Sequence, residues 1–272
     1  MSEKMICMKT PNCIKMEVRD MKLADKVAMV TGGGTGIGKS VAIALALEGA
    51  KVIVIGRRLA PLQETVDEIV KAGGEALAVS TDITKIDEIK QALQKVKERW
   101  GRLDVLVNNA GSGLRKAFLE ISLEELDDLY NVDLRGVFAV TQVMVPLLKE
   151  AGGGSIINIA SILGVTGSPN FTSYCAMKGG VVNLSRALAA ELGPEIRVNC
   201  LCPAHIVTPM TQSKHDRWVA TGKADALIRR FPMKRIGSVE DMNGSVIFFA
   251  SDDSQWITGQ ILTIDGGLDC YI

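Results

Sequence analysis

A tyrosine and a lysine four residues apart, with a serine upstream, are the side chains in this sequence best suited to proton transfer. Tyr174 and Lys178 would share one face of a helix, because positions i and i+4 stand one above the other. A neighbouring ammonium favours the phenolate, which lets tyrosine give and take a proton near neutral pH. Ser161 follows an apolar run. Such a pair is common by chance in helices, so its meaning depends on the surrounding motifs.

A glycine-rich turn near the amino-terminal end of the sequence pattern supplies that context. Residues 31–38 read TGGGTGIG, between a β-branched run and a helical segment. Glycines permit a sharp turn and close approach of a pyrophosphate, whose charge is met by the helix amino terminus. In this strand–turn–helix context the motif predicts a dinucleotide site. The predicted contacts in the turn are Gly32, Thr35, Gly36, Ile37 and Gly38.

Two arginines after the second predicted strand indicate which dinucleotide binds. Gly56 stands where an NAD-selective site would place a carboxylate, and Arg57 and Arg58 follow it. Guanidinium groups suit a 2′-phosphate, so we predict NADP(H), with NAD(H) as the alternative; the two arginines could also merely solvate a strand end. Asp82 could accept from the adenine amino group with Ile83 beside it, or could cap a turn.

The elements that must position these residues can be read from alternating short β-branched runs and longer helical segments. They predict a Rossmann-type, doubly wound α/β fold: one domain with a seven-stranded parallel sheet and helices on both faces. The predicted strands are Val27–Val30, Lys51–Ile55, Ala76–Ser80, Val105–Val107, Ser155–Ile159, Arg197–Leu201 and Gln260–Ile264. The predicted helices are Gly38–Glu48, Leu59–Lys71, Ile86–Trp100, Leu123–Leu148, Ser173–Leu192 and Val239–Ala250. A break in the alternation predicts a substrate lid around residues 205–232.

Length and charge limit the remaining classes of function. The chain has 272 residues, with 31 basic and 31 acidic side chains, which argues against a nucleic-acid partner recognised through bulk charge. Apolar runs are too short to span a membrane, and the six cysteines lack zinc spacing, so we expect a cytoplasmic protein without a metal. Residues 1–24 are predicted to be an extension outside the catalytic domain, which spans residues 25–272. The extension could be disordered, could have a weak targeting role, or could result from an early start codon.

Taken together, the motifs resemble the short-chain dehydrogenase/reductase family over about residues 25–270. The matching motifs, in family order, are Thr31-Gly-x-x-x-Gly36-Ile37-Gly38, Asn108-Asn109-Ala110-Gly111, Ser161, Tyr174-x-x-x-Lys178, Arg197-Val198-Asn199 and Asp265-Gly266-Gly267. The resemblance implies reversible reduction of a carbonyl to an alcohol and a homotetramer built partly by the two longest predicted helices. A catalytically silent NADP-binding sensor or assembly module is the alternative from another class.

The resemblance also implies a role for each matched residue. Tyr174 would be the general acid and base, and Ser161 would hydrogen-bond the substrate oxygen. Lys178 would hold the nicotinamide ribose and favour the phenolate. Asn109 would flank the cofactor, and Ile206 and Thr208 would contact the nicotinamide carboxamide.

Two positions depart from the family pattern. Asp133 stands where the family usually has an asparagine that relays protons through water. We expect Asp133 to be a fourth catalytic residue that accepts from Lys178 through water and keeps the site active with an altered pH profile. Ala204 follows Pro203 where glycine is usual, which predicts either a turn without a positive φ or a slightly reshaped one.

Basic residues beside the predicted cleft suggest an anionic substrate. Arg115 and Lys116 would suit a carboxylate or phosphate, or could be solvated loop residues. These cations, the Asp133 variation and the carboxyl-terminal sequence resemble the gluconate 5-dehydrogenase branch, which implies a keto sugar acid. A 3-oxoacyl thioester fits the same cations, and His205 is a candidate to orient the substrate.

Overall fold

Short β-branched runs, most of them buried on both faces, form the strands of the sheet. The computed structural model describes residues 21–270. All strand pairings are parallel, in the order β3-β2-β1-β4-β5-β6-β7. The strands are β1 (Val27–Thr31), β2 (Lys51–Gly56), β3 (Ala76–Ser80), β4 (Val105–Asn108), β5 (Gly154–Ile159), β6 (Ile196–Pro203) and β7 (Ile261–Ile264). The predicted doubly wound sheet is confirmed, and its order reverses between β1 and β4, where a crevice opens at the carboxyl ends.

Helices cover both faces of this sheet. The helices are α1 (Gly36–Leu47), α2 (Leu59–Lys71), α3 (Ile86–Trp100), α4 (Leu123–Tyr130), α5 (Gly136–Glu150), α6 (Thr172–Leu192), α7 (Gln212–Ala220), α8 (Lys223–Arg230) and α9 (Asn243–Ala250). Apolar side chains of α1, α2 and α9 form the core on one face, while those of α3, α5 and α6 form the core on the other. Within residues 21–270, no helix is long and apolar enough to cross a bilayer.

The single helix predicted over Leu123–Leu148 is wrong in detail. Ser122 and Glu125 form a capping box that starts α4, but residues Asn131–Arg135 form a π-helical turn before α5 continues to Glu150. A π-turn inserts an extra residue and changes which side chains face inward, and here it carries Asp133 into the interior. Similarly, Val239–Met242 is a 3₁₀ turn ahead of α9.

Two further segments differ from a simple loop. The predicted lid contains α7 and α8, which the mixed polar and apolar composition did not reveal. Residues 1–20 of the predicted extension lie outside the described residues, but Leu23 is fully buried and its backbone N–H donates to the Glu48 carbonyl at 2.8 Å. The last residues of that predicted extension therefore pack against the domain.

Candidate active site

The glycine-rich turn connects β1 to α1 in a conformation that side chains would block. Gly32 and Gly36 have φ values of +65° and +56°, in the left-handed region. A Cβ at Gly38 would lie 2.3 Å from the Gly32 carbonyl oxygen and 2.4 Å from Asn109 Nδ2. The Asn109 amide in turn donates to the Thr31 carbonyl at 2.9 Å. This close packing forms an open cradle of backbone at the start of α1, of the kind that accepts a pyrophosphate.

A cleft of about 450 Å³ opens beside this turn. The predicted cofactor residues that line it are Gly32, Thr35, Gly36, Ile37, Arg57, Arg58, Asp82, Ile83, Asn109, Tyr174, Lys178, Ile206 and Thr208. Gly38 does not line the cleft, because it packs beneath the turn against Gly32. The cleft therefore joins the phosphate cradle to the tyrosine and lysine of α6, as a dinucleotide site requires.

The far end of the cleft carries the groups predicted to select the cofactor. Arg57 and Arg58 are exposed at the end of β2 and line the cleft without a carboxylate beside them at Gly56. Asp82 Oδ1 accepts from the Thr84 N–H at 3.0 Å and from its hydroxyl at 2.9 Å. Burial acts to raise the pKa of Asp82, but these hydrogen bonds and nearby cations outweigh it and hold that pKa below its usual value. The arrangement fits a cofactor with a 2′-phosphate, and Asp82 also shapes a turn.

Three of the four predicted catalytic side chains, Ser161, Tyr174 and Lys178, line the cleft near the end of β5 and the start of α6. Ser161 lies two residues beyond the end of β5, at the start of a 3₁₀ turn; it is buried, and its Oγ accepts from the Leu163 N–H at 3.1 Å. Lys178 Nζ lies 5.7 Å from the centre of the Tyr174 ring, and both side chains line the cleft. The helical i, i+4 spacing thus places the ammonium beside the phenol, as the sequence predicts. This cluster can polarise a carbonyl oxygen and exchange a proton with it.

Asp133 contacts Lys178 directly, which corrects the expectation of a water between them. Asp133 Oδ1 lies 3.0 Å from Lys178 Nζ, with the carboxylate fully buried and the lysine side chain 4% exposed. The contact is an ion pair between two buried groups. Burial opposes charge on Lys178, but the attraction of Tyr174 and Asp133 outweighs it, so the ammonium pKa lies above its usual value.

Ser112 is a site residue that the sequence did not single out. Its backbone N–H and its hydroxyl both donate to Asp133 Oδ2, at 2.9 and 2.6 Å. Ser112 also lines the cleft, whereas Asp133 lies behind it. The adjacent Gly111 allows this approach, since a Cβ there would lie 3.0 Å from Asp133 Oδ1 and 3.1 Å from Lys178 Nζ. A serine directly after Gly111 was the available signal.

A buried polar network supports the strands and helices behind the site. The Asn108 amide donates to Thr141 Oγ1 at 2.9 Å and to Asn158 Oδ1 at 2.8 Å. The Asn158 amide donates to Ser185 Oγ at 2.8 Å. These contacts join α5, β4, β5 and α6 across the sheet. Asn108 therefore links β4 to β5 and to α5 at the centre of the sheet.

The predicted substrate residues are separated by the structure. Arg115 does not line the cleft; its guanidinium carbon lies 5.9 Å from the centre of the Phe171 ring, which packs edge-on against Tyr174 at 6.3 Å. Lys116 forms an ion pair with Glu125 at 2.8 Å. His205 lines the cleft and its ring packs 4.7 Å from that of Trp218 in the lid. Arg115 is thus a cation at the rim.

Two cysteines on β6 and the alanine that follows this strand have structural roles. Cys200 and Cys202 are buried in the core on β6, and the described residues contain no group of three side chains arranged to hold a metal ion. Ala204 does not have a positive φ, and its N–H donates to the Ile264 carbonyl at 3.0 Å. The first of the two alternatives for this turn, a backbone without a positive φ, is therefore the one observed.

The fold and the cleft define a dinucleotide-dependent oxidoreductase with a serine–tyrosine–lysine site, and comparison with known proteins gives its family. Residues 32–269 match the family model described as Enoyl-(Acyl carrier protein) reductase. A 3-oxoacyl-[acyl-carrier-protein] reductase FabG of Thermotoga maritima is 38% identical over 249 residues, covering 91% of this chain and 99% of that protein. The chain belongs to the short-chain dehydrogenase/reductase family.

Solved structures agree with this assignment. A protein of Beutenbergia cavernae, provisionally assigned as an NAD(P) dependent gluconate 5-dehydrogenase and holding NADP at low occupancy, superimposes with a TM-score of 0.86 at 35% identity, covering 93% of this chain and 100% of that one. Actinorhodin polyketide ketoreductase with NADPH gives 0.86 at 34% identity, covering 90% and 98%. Levodione reductase gives 0.87 at 30% identity, covering 92% and 100%.

Proposed function

We propose that this protein catalyses the reversible, NADP(H)-dependent reduction of a carbonyl to a secondary alcohol. The observation that carries the proposal is the convergence of Ser161, Tyr174 and Lys178 on the cleft that begins at the phosphate cradle. A proton donor and a cation beside a dinucleotide cleft are the parts that hydride addition to a carbonyl requires.

NADP(H) occupies the cleft in this proposal. The backbone of Gly32 and of residues 34–37, at the amino terminus of α1, holds the pyrophosphate, and Arg57 and Arg58 hold the 2′-phosphate through charge-assisted hydrogen bonds. Asp82 accepts from the adenine amino group with Ile83 beside it. The remaining contacts come from Asn109, Tyr174, Lys178, Ile206 and Thr208. When bound, the cofactor supplies or takes up the hydride.

The protein's own residues handle the proton and the substrate oxygen. Tyr174 donates its phenolic proton to the oxygen during reduction and takes it back during oxidation, while the Ser161 hydroxyl orients that oxygen. Lys178 keeps a positive charge beside Tyr174, which stabilises the phenolate left after proton donation. Asp133 pairs with Lys178 and supports that charge.

The single test of this mechanism is Tyr174→Phe, measured for turnover and for NADPH binding. General acid catalysis contributes about 10²–10⁴-fold, so turnover should fall by that factor while the dissociation constant for NADPH stays within about twofold. Wild-type protein that binds NADPH but turns over no ketone, sugar acid or acyl thioester would favour the silent sensor or assembly module. A Tyr174→Phe variant with unchanged turnover would contradict the mechanism.

The substrate in this proposal is an anionic keto compound, with a keto sugar acid as the first candidate. Arg115 supports it, because this exposed cation stacks on Phe171 next to Tyr174 at the mouth of the site. The 3-oxoacyl thioesters remain the second candidate, since the curated relatives at 35–38% identity carry that name. Assays following NADPH absorbance with both classes decide between them. His205, in the cleft wall, would orient either substrate.

We further propose that the protein is a cytoplasmic homotetramer. Exposed apolar side chains on and beside α4 and α5 support subunit contacts there, for Leu123 is 74% and Phe138 50% exposed, and Trp256 beyond α9 is 98% exposed. Light scattering coupled to size-exclusion chromatography gives the number of subunits, and cell fractionation gives the compartment.

A further inference from the structure

The ion pair behind the catalytic tyrosine is unusually well enclosed. Asp133 is fully buried, and the side chain of Lys178 is 4% exposed. Moving two charges out of water costs several kcal/mol per ion, and their attraction offsets this only when further hydrogen bonds satisfy the remaining polar atoms. The environment of Asp133 must therefore supply such bonds.

Ser112 supplies two hydrogen bonds to Asp133. Its N–H and hydroxyl bind Asp133 Oδ2, which leaves Oδ1 directed at Lys178 Nζ. The hydroxyl contact, at 2.6 Å, has the length expected of a hydrogen bond to an ionised oxygen. Gly111 has no Cβ to separate the two charges. Each oxygen of the carboxylate thus has a defined partner.

The groups that face Lys178 come from three elements. Asp133 approaches from the π-helical turn, Tyr174 from α6, and the thiols of Cys200 and Cys202 from β6. Asp133 is the carboxylate among them, and it does not line the cleft. Its orientation decides how firmly the lysine keeps its charge and position.

We propose that Ser112 is a positioning residue, which fixes Asp133 so that the carboxylate holds Lys178 in its charged, cofactor-binding form. This clamp, made of Ser112, Asp133 and Lys178, rests on the proposed function, in which Lys178 contacts the cofactor ribose. In this clamp the negative charge of Asp133 lies directly against the Lys178 ammonium.

The test measures NADPH affinity against pH in a Tyr174→Phe background, where the phenol cannot contribute to the titration. Loss of the Asp133 charge in Asp133→Asn should move the alkaline loss of NADPH affinity to lower pH by about 1–3 units, the range for removal of a close opposite charge. Ser112→Ala should shift the curve less, in the same direction, because the N–H contact remains. Ser112→Thr keeps a hydroxyl and should restore the parent curve.

A matched control is Ser155→Ala, which removes a hydroxyl hydrogen bond of 2.7 Å to the Phe249 carbonyl at the opposite end of the sheet. It should leave the pH curve unchanged even if thermal stability falls. Curves for Asp133→Asn and Ser112→Ala that coincide with the parent would overturn the clamp. If Asp133→Asn does not fold, the pH curves of Ser112→Ala and Ser112→Thr test the clamp by themselves: only the Ser112→Ala curve should differ from the parent. Retained turnover in Tyr174→Phe would contradict the proposed mechanism without altering this binding measurement.

Discussion

The packing of Gly38 under the phosphate turn leads to a quantitative prediction for Gly38→Ala. A helical glycine replaced by alanine usually gains about 1 kcal/mol in the free energy of unfolding. Here the new Cβ would lie 2.3 Å from the Gly32 carbonyl oxygen and 2.4 Å from Asn109 Nδ2, far inside the roughly 3.5 Å at which non-bonded heavy atoms attract each other. One obstructing atom is backbone, so α1 or the turn must move.

Overpacking typically costs about 1–3 kcal/mol, and with a backbone obstruction we expect the upper end. After the helical gain, the net loss should be about 2 kcal/mol, or roughly 4–8 °C in Tm for a domain of this size. Displacement of the cradle should also raise the dissociation constant for NADPH by about tenfold or more, equivalent to about 1.4 kcal/mol. Thermal unfolding followed by circular dichroism and a fluorescence titration with NADPH measure the two effects.

Gly244→Ala is the matched control, because Gly244 lies in the first turn of α9 and its Cβ would meet nothing within 4 Å. That variant should bind NADPH normally and be as stable as the wild type or slightly more so. If Gly38→Ala behaves like Gly244→Ala in both assays, the argument that the cradle requires a glycine at this position is refuted.

Three further variants test contacts in the fold and the cleft. Hydrogen bonds from Arg235 and from the Ser238 backbone lower the pKa of Asp241 to about 2. The ionised pair therefore stabilises the fold fully above the ordinary carboxylate pKa, and this contribution is lost as pH falls through about 2. Denaturation at several pH values should show that the loss of unfolding free energy in Asp241→Asn becomes smaller below about pH 4. Replacing Arg57 and Arg58 with alanine should weaken NADPH binding about 10–100-fold and NADH binding little, and equal losses would contradict their role. Asn158→Ala should lower unfolding free energy by about 1–3 kcal/mol, since it leaves buried partners unsatisfied, and an unchanged denaturation midpoint would contradict that reasoning.

The strands and the phosphate turn were predictable because their determinants are local. Each predicted strand overlaps its observed counterpart, since a β-branched run buried on both faces has few other ways to satisfy its backbone in an α/β chain. The left-handed φ values at Gly32 and Gly36 are also determined locally, because glycine adopts them freely. The i, i+4 placement of Tyr174 and Lys178 needs only a helix.

The contacts around Asp133 were not predictable in this way. The sequence places an aspartate at the family's asparagine position, but a regular helix gives no reason for its carboxylate to reach Lys178 directly. Nothing in residues 131–135 marks the π-helical turn, because α5 is apolar at most positions and hides the change of helical phase that one inserted residue produces. Ser112 is 21 residues away in sequence and meets Asp133 only after β4 and α5 pack together.

This difference between local and tertiary determinants explains why the lysine's environment depends on the whole fold. A charged pair with almost no exposure is tolerated only where every oxygen has a partner, and here the partners come from a loop after β4, a π-turn and α6. A change in any of these elements would leave a buried charge without its partner. A Cβ added at Gly111 would press against both Asp133 and Lys178. We therefore expect a Gly111→Ala variant that still folds to show an altered pH dependence of NADPH binding, measured by titration at several pH values.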